Sequence, residues 1–107
     1  MSFTSAYPDS EPTRAEIDAM SGPLLLEFGT PWCGYCQAAQ ATIQQLLAQH
    51  PEVAHLKVYD ARGKPLGRSF RIKLWPNLVF MRDGEVRLQL ARPRDAEIAQ
   101  GFAAIAD

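Results

Sequence analysis

Residues 24–36 read Leu-Leu-Leu-Glu-Phe-Gly-Thr-Pro-Trp-Cys-Gly-Tyr-Cys, a short apolar run that ends in two cysteines with two residues between them. Leu24 to Phe28 has the length and apolar density of a buried strand, and the breakers Gly22-Pro23 and Gly29-Thr30-Pro31 bound it. Past Cys33 the period changes. Ala39, Ile43, Leu46 and Leu47 fall at i, i+4, i+7 and i+8, while Gln37, Gln40, Gln44 and Gln45 mark much of the outer face, so a helix is predicted over 33–49. Cys33 then opens the helix. Unpaired backbone N–H groups and the positive end of the macrodipole at such a position generally favour a thiolate, which makes Cys33 the expected nucleophile. Cys36 falls on the same helical face one turn deeper, where it can attack a mixed disulfide on Cys33 and release the partner.

The rest of the chain reads as scaffold for these two sulfurs. Residues 1–12, rich in Ser, Pro and acids, are expected to be a loose arm, with room for a short edge strand in Phe3 to Tyr7. Thr13-Arg14-Ala15-Glu16 is a capping-box pattern, which predicts a short helix from Arg14 to Met20 with Ile17 and Met20 inward. Pro51 stops the long helix, and Val53 to Tyr59 reads as a second buried strand that completes a βαβ unit. Asp60 to Leu74 is a punctuated connection with a short helix near Leu66 to Phe70. Leu78 to Met81 and Val86 to Leu90 read as antiparallel strands about an Asp83-Gly84 turn. Pro93 is expected to start a last helix, in which Ile98, Phe102 and Ile105 hold helical spacing and Gly101 weakens the interior by up to ~1 kcal/mol. The sum is βαβ followed by ββα around one sheet, with helices on both faces.

These residues resemble the thioredoxin family. The resemblance is carried by Trp32-Cys33-Gly34-Tyr35-Cys36 after a buried strand, by the acid Glu27 before it, and by Pro76 opening Pro-Asn-Leu-Val-Phe-Met-Arg-Asp-Gly-Glu-Val. It runs from Thr13 to the C-terminus and is far more specific than a lone Cys-x-x-Cys. It implies a thioredoxin fold, an α/β arrangement with a central mixed sheet of four to five strands. It also implies a thiol-disulfide oxidoreductase that needs no bound cofactor beyond a redox-active Cys33–Cys36 disulfide.

The resemblance implies further roles. A carboxylate buried alone holds its proton tightly, which suits a group that must take and return one. Glu27 stands in the middle of an apolar run, and the family assigns its position, usually Asp, to proton transfer with the resolving thiol. The matching proline of thioredoxins is cis and faces the cysteines, and the residue before it, here Trp75, offers its backbone to substrate. Trp32, Gly34, Tyr35, Trp75, Pro76 and Arg92 are the expected substrate-binding residues. The chain departs from the family at Gly34-Tyr35, which stands for Gly-Pro and resembles the motif of periplasmic disulfide isomerases. Gln37 replaces a usual lysine, Ala41 a helix-kinking proline, and Ala91-Arg92-Pro93 a small glycine-containing surface. Arg92 beside the cysteines would favour the thiolate of Cys33.

Composition narrows the function classes. The chain has 107 residues, the size of one domain, with 47% hydrophobic and 21% charged residues and a net charge of −1. That charge gives no general pull toward nucleic acid or anionic membrane. Lys57, Arg62, Lys64, Arg68, Arg71 and Lys73 crowd one segment against the single acid Asp60, and they read as a solvated loop rather than a docking surface for an acidic partner. Residues 1–20 lack a basic n-region and an apolar core, so a cytoplasmic location is expected, and a monomer is expected besides. Protein disulfides are the expected substrates, with a reductase or dithiol protein as electron donor. Cys33, Cys36, His50 and His55 also satisfy the spacing of a two-cysteine, two-histidine zinc finger. The cysteines open a helix and Pro51 separates the histidines, so His50 reads as a helix C-terminal dipole partner and His55 as a strand-edge residue. Three other functions stay open: a glutathione-linked, glutaredoxin-like activity, a disulfide-isomerase-like activity, and a binding module whose cysteines do not turn over.

Overall fold

The structure is a computed structural model that describes residues 3–61 and 64–106. Strand β1 (Pro23–Gly29) lies inside a four-stranded sheet between β2 (Ala54–Tyr59) and β3 (Asn77–Arg82), with β4 (Glu85–Ala91) outside β3. β1 runs parallel to β2, placing Leu25 opposite His55 and Glu27 opposite Lys57, and antiparallel to β3, placing Glu27 opposite Leu78. The helix between β1 and β2 is what permits the parallel pair.

Period-two alternation divides the apolar residues between two cores. Leu25, Leu78 and Phe80 meet Ile43 and Leu47 of α2 (Gly34–Gln49) and Ile98, Phe102 and Ile105 of α4 (Asp95–Ile105). Leu24, Leu26, Phe28 and Val79 meet Ile17 of α1 (Arg14–Asp18) and Leu66 of α3 (Pro65–Ser69) on the other face. Glu27 shares the face of Leu25, so its carboxylate is carried under α2. This arrangement is the expected one, with four strands.

Local chemistry sets the boundaries. The Thr13 capping box is present: Thr13 N–H donates to Glu16 Oε1 at 2.9 Å and Glu16 N–H to Thr13 Oγ1 at 3.1 Å. Asp83 and Gly84 both have positive φ, 52° and 80°, the backbone a two-residue hairpin turn requires. Asp83 Oδ1 also accepts from Gly22 N–H at 2.7 Å, which ties the hairpin to the start of β1.

Two expectations are corrected. The last helix starts at Asp95, not Pro93, because Arg92 sits at φ +48° and Arg94 is the N-cap, its N–H held by Glu97 Oε1 at 2.8 Å. The N-terminal arm is tied down rather than loose. It forms no strand among its described residues, yet Thr4 N–H donates to His55 Nδ1 at 2.8 Å and Thr4 Oγ1 to the His55 carbonyl at 3.0 Å. Farther along, Glu11 Oε2 accepts from Leu66 N–H at 3.0 Å.

Candidate active site

Cys33 is the N-cap of α2 and Cys36 lies in the first turn, so the two sulfurs differ in exposure by construction. Cys33 is half-buried and Cys36 is 2% exposed. Both are free thiols. Cys36 N–H donates to Cys33 Sγ at 3.2 Å, so an orphan donor of the helix start faces the outer sulfur. Burial pushes the Cys36 thiol up to about 12, and its hydrogen bond to Cys33 and the Glu27 charge act in the same direction, while the Thr30 backbone opposes them.

Beneath the dithiol lies a buried polar network. Glu27 is fully buried, and it is not alone: His55 Nε2 lies 2.8 Å from Oε1, Gln40 Nε2 2.6 Å from Oε2, and Lys57 Nζ 3.9 Å from Oε2. Because Thr4 N–H occupies His55 Nδ1, the proton of a neutral ring stands on Nε2, and His55 is the donor to Glu27. Lys57 Nζ donates onward to Gln40 Oε1 at 2.9 Å and to the Ser5 carbonyl at 3.3 Å. The expectation of a lone carboxylate is thereby corrected, since each oxygen has a donor and the ammonium lies beside it.

The expected substrate residues fall into two groups. Tyr35, Pro76 and Arg92 come together on one side, where the Arg92 guanidinium lies 3.9 Å over the Tyr35 ring and Arg92 Nε donates to the Trp75 carbonyl at 2.9 Å. The Trp75–Pro76 bond is cis. On the other side Trp32, 65% exposed, leans edge-on against Tyr59 with centroids 5.5 Å apart. The Trp75 indole joins neither group; its Nε1 donates to Asp60 Oδ2 at 2.8 Å. Burial raises the Asp60 carboxyl, and the indole hydrogen bond works against that rise. Gly34 is exposed in the first turn of α2, with no neighbour where a Cβ would stand.

His55, Gln40 and Lys57 were not among the expected site residues, yet each carried a legible signal. In Ala54-His-Leu-Lys-Val-Tyr59 alternation puts His55, Lys57 and Tyr59 on one face, and Gln40 follows Cys36 by one helical turn. Lys57, expected in a solvated basic run, is 5% exposed, and Arg62 of that run lies outside the described residues. The zinc spacing is accounted for differently, with His55 on Glu27 and His50 stacked on Phe102 at 5.4 Å.

The sequence matches the thioredoxin family profile over residues 9–104. Among solved structures it is similar to reduced thioredoxin 2 of Pseudomonas aeruginosa PAO1, at 44% identity and a TM-score of 0.83 over 96% of both chains. Among curated proteins it is 27% identical over 86 residues to thioredoxin 1 of Synechococcus elongatus, covering 79% of each. It is also 35% identical over 81 residues to a protein disulfide-isomerase of Triticum aestivum, where 69% of this chain spans 16% of that protein. With its two thiols at the helix start that follows β1, the chain belongs to the thioredoxin family and is a thiol-disulfide oxidoreductase.

Proposed function

We propose that the chain reduces disulfides in extended protein segments, with Cys33 attacking and Cys36 resolving. The observation that carries this reading is the asymmetry of the pair: one sulfur at the surface on a helix start, the other buried one turn below. In the first step the Cys33 thiolate attacks one substrate sulfur, the substrate S–S bond breaks, and its electron pair leaves on the other sulfur, which takes a proton. In the second, Cys36 gives up its proton and attacks Cys33, and the substrate leaves as a thiol. Glu27 exchanges that proton, with His55, Gln40 and Lys57 holding the carboxylate in place. A substrate strand would lie along Trp32, Trp75 and Pro76 and pair with the Trp75 backbone. An electron donor, either a reductase or another dithiol protein, restores the pair. A monomer in the cytoplasm completes the reading, which needs neither nucleic acid nor membrane. Among the described residues no helix is long and apolar enough to cross a bilayer.

A second reading, disulfide isomerisation, is favoured by Gly34-Tyr35 and by the match to the wheat isomerase. Insulin reduction separates the possibilities. Turnover with dithiothreitol and no glutathione is expected. Strict glutathione dependence would indicate a glutaredoxin-like enzyme, and a folded protein without turnover a binding module. Rescue of a scrambled protein without net reduction would favour the isomerase. Cys33→Ser should abolish reduction, whereas Cys36→Ser should trap substrate on Cys33.

A further inference from the structure

The resolving thiol has a neighbour outside the Cys-x-x-Cys segment. Tyr7, on the N-terminal arm, brings its hydroxyl to the side of Cys36 where β1 ends. Both atoms close on one point over Gly29: a Cβ there would lie 2.6 Å from Cys36 Sγ and 3.0 Å from Tyr7 Oη. Only a residue without a side chain leaves that space to the sulfur and the phenol. The ring is held from two further directions, by Lys57 Nζ 4.5 Å from its centroid and by Tyr59 edge-on at 6.3 Å. Tyr7 and Cys36 also share the wall of a cavity of about 550 Å³ between the arm and α2, with Phe3, Gln40 and Lys57.

We propose that Tyr7 is a catalytic residue of the resolving step, donating its O–H to Cys36 Sγ as the thiolate forms. The need for a donor follows from the surroundings of Cys36. Burial, the Cys33 sulfur and the Glu27 carboxylate oppose its ionisation, and the Thr30 backbone offsets them in part. A hydrogen bond to the charged form offsets part of that cost. Tyr7 keeps its own proton through the working range, because burial and the charges of Glu27, Cys36 and Cys33 raise its pKa. The step balances without it: Cys36 loses a proton, the Cys36–Cys33 bond forms, the Cys33–substrate bond breaks, and the departing sulfur carries the electron pair and gains a proton. Tyr7 lowers the barrier and is not consumed.

The proposal rests on Cys36 being the resolving thiol, and the experiment tests the two separately. Reduced protein is mixed with dithiobis(nitrobenzoate) in a stopped flow, so that attack by Cys33 releases the first thionitrobenzoate and resolution by Cys36 the second. Tyr7→Phe deletes the hydroxyl and keeps the ring between Lys57 and Tyr59. The first phase is expected to match wild type within about two-fold, and the second to slow about ten-fold or more, as for a hydrogen bond to a charged group. The deficit should shrink at high pH, where the thiolate needs less help. The other groups facing Tyr7, which are Glu27, Lys57, Cys33 and Tyr59, are unchanged between the two proteins. An unchanged second phase overturns the proposal, and so does an equal slowing of both phases, which would make Tyr7 structural. In Cys36→Ser the second phase should vanish. If it persists, the resolving assignment itself is wrong, and the role of Tyr7 falls with it.

Discussion

At the scale of single residues, hydrogen-bond direction governs this site. Glu27 receives donors on both oxygens, and the one nearest alternative, a reversed His55 ring, is blocked by Thr4 N–H on Nδ1. Glu27→Gln would therefore set an NH₂ group against a donor and leave the Lys57 ammonium without its counter-charge. A carboxylate buried alone would be relieved by such a change. This one is not, and the variant is expected to lose about 1–3 kcal/mol in urea unfolding and to slow the resolving step. A variant as stable as wild type would mean that the donors rearrange at no cost. Arg92 is the second case. Its guanidinium is spent on the Tyr35 ring and the Trp75 carbonyl, so its influence should fall on the edge offered to substrate rather than on Cys33. Arg92→Gly removes that occupant and relieves a left-handed backbone, φ +48°. The KM for insulin is expected to change at least about two-fold, with the iodoacetamide rate of Cys33 within about 1.5-fold, since the side chain and its hydrogen bond reach only the substrate side. The reverse pattern would restore the reading in which Arg92 tunes the thiol.

At the scale of elements, the strands and helices were legible wherever a single period governed a segment. Leu24 to Phe28, the Ala39–Leu47 stripe and the Asp83-Gly84 turn were each set by local chemistry, and all three are found in place. The misreadings came from segments whose structure depends on distant partners. The arm is hydrogen-bonded to His55, Lys57 and Leu66, about 50 residues away, and nothing within residues 1–12 announces them. Lys57 looked solvated because its counter-charge comes from the neighbouring strand. Gly101 is a third instance. Within α4 it reads as a weak point, but a Cβ there would lie 2.2 Å from the Phe80 ring, so the glycine is what lets the helix approach β3. Gly101→Ala should thus destabilise, by about 1–3 kcal/mol of overpacking against a propensity gain of at most about 1 kcal/mol. Chemical denaturation decides the sign: a more stable variant would show that Phe80 moves aside freely.

At the scale of the whole molecule, the relative stability of the reduced and oxidised forms reports the direction of the chemistry. A disulfide across Cys33 and Cys36 closes a very short loop, and the chain-entropy relation assigns it about 2 kcal/mol through the unfolded state. For 107 residues that corresponds to a rise in Tm of about 9 °C. The native reduced state offers one clear compensation, the Cys36 N–H donated to Cys33 Sγ, while Cys36 is held as a neutral thiol by burial. A single hydrogen bond contributes about 1 kcal/mol, less than the constraint it competes with. The oxidised protein is therefore expected to melt above the reduced one. Folding then favours the disulfide, and by linkage the dithiol is a better reductant than the same two cysteines in an unfolded chain. A disulfide oxidant has the opposite balance, because its reduced form is the stabilised one. Paired melting curves, with and without a strong reductant, thus test the direction of electron flow with no substrate present. If the reduced form melts higher, the donors around Cys33 outweigh the loop, and the isomerising reading suggested by Gly34-Tyr35 replaces the reductase.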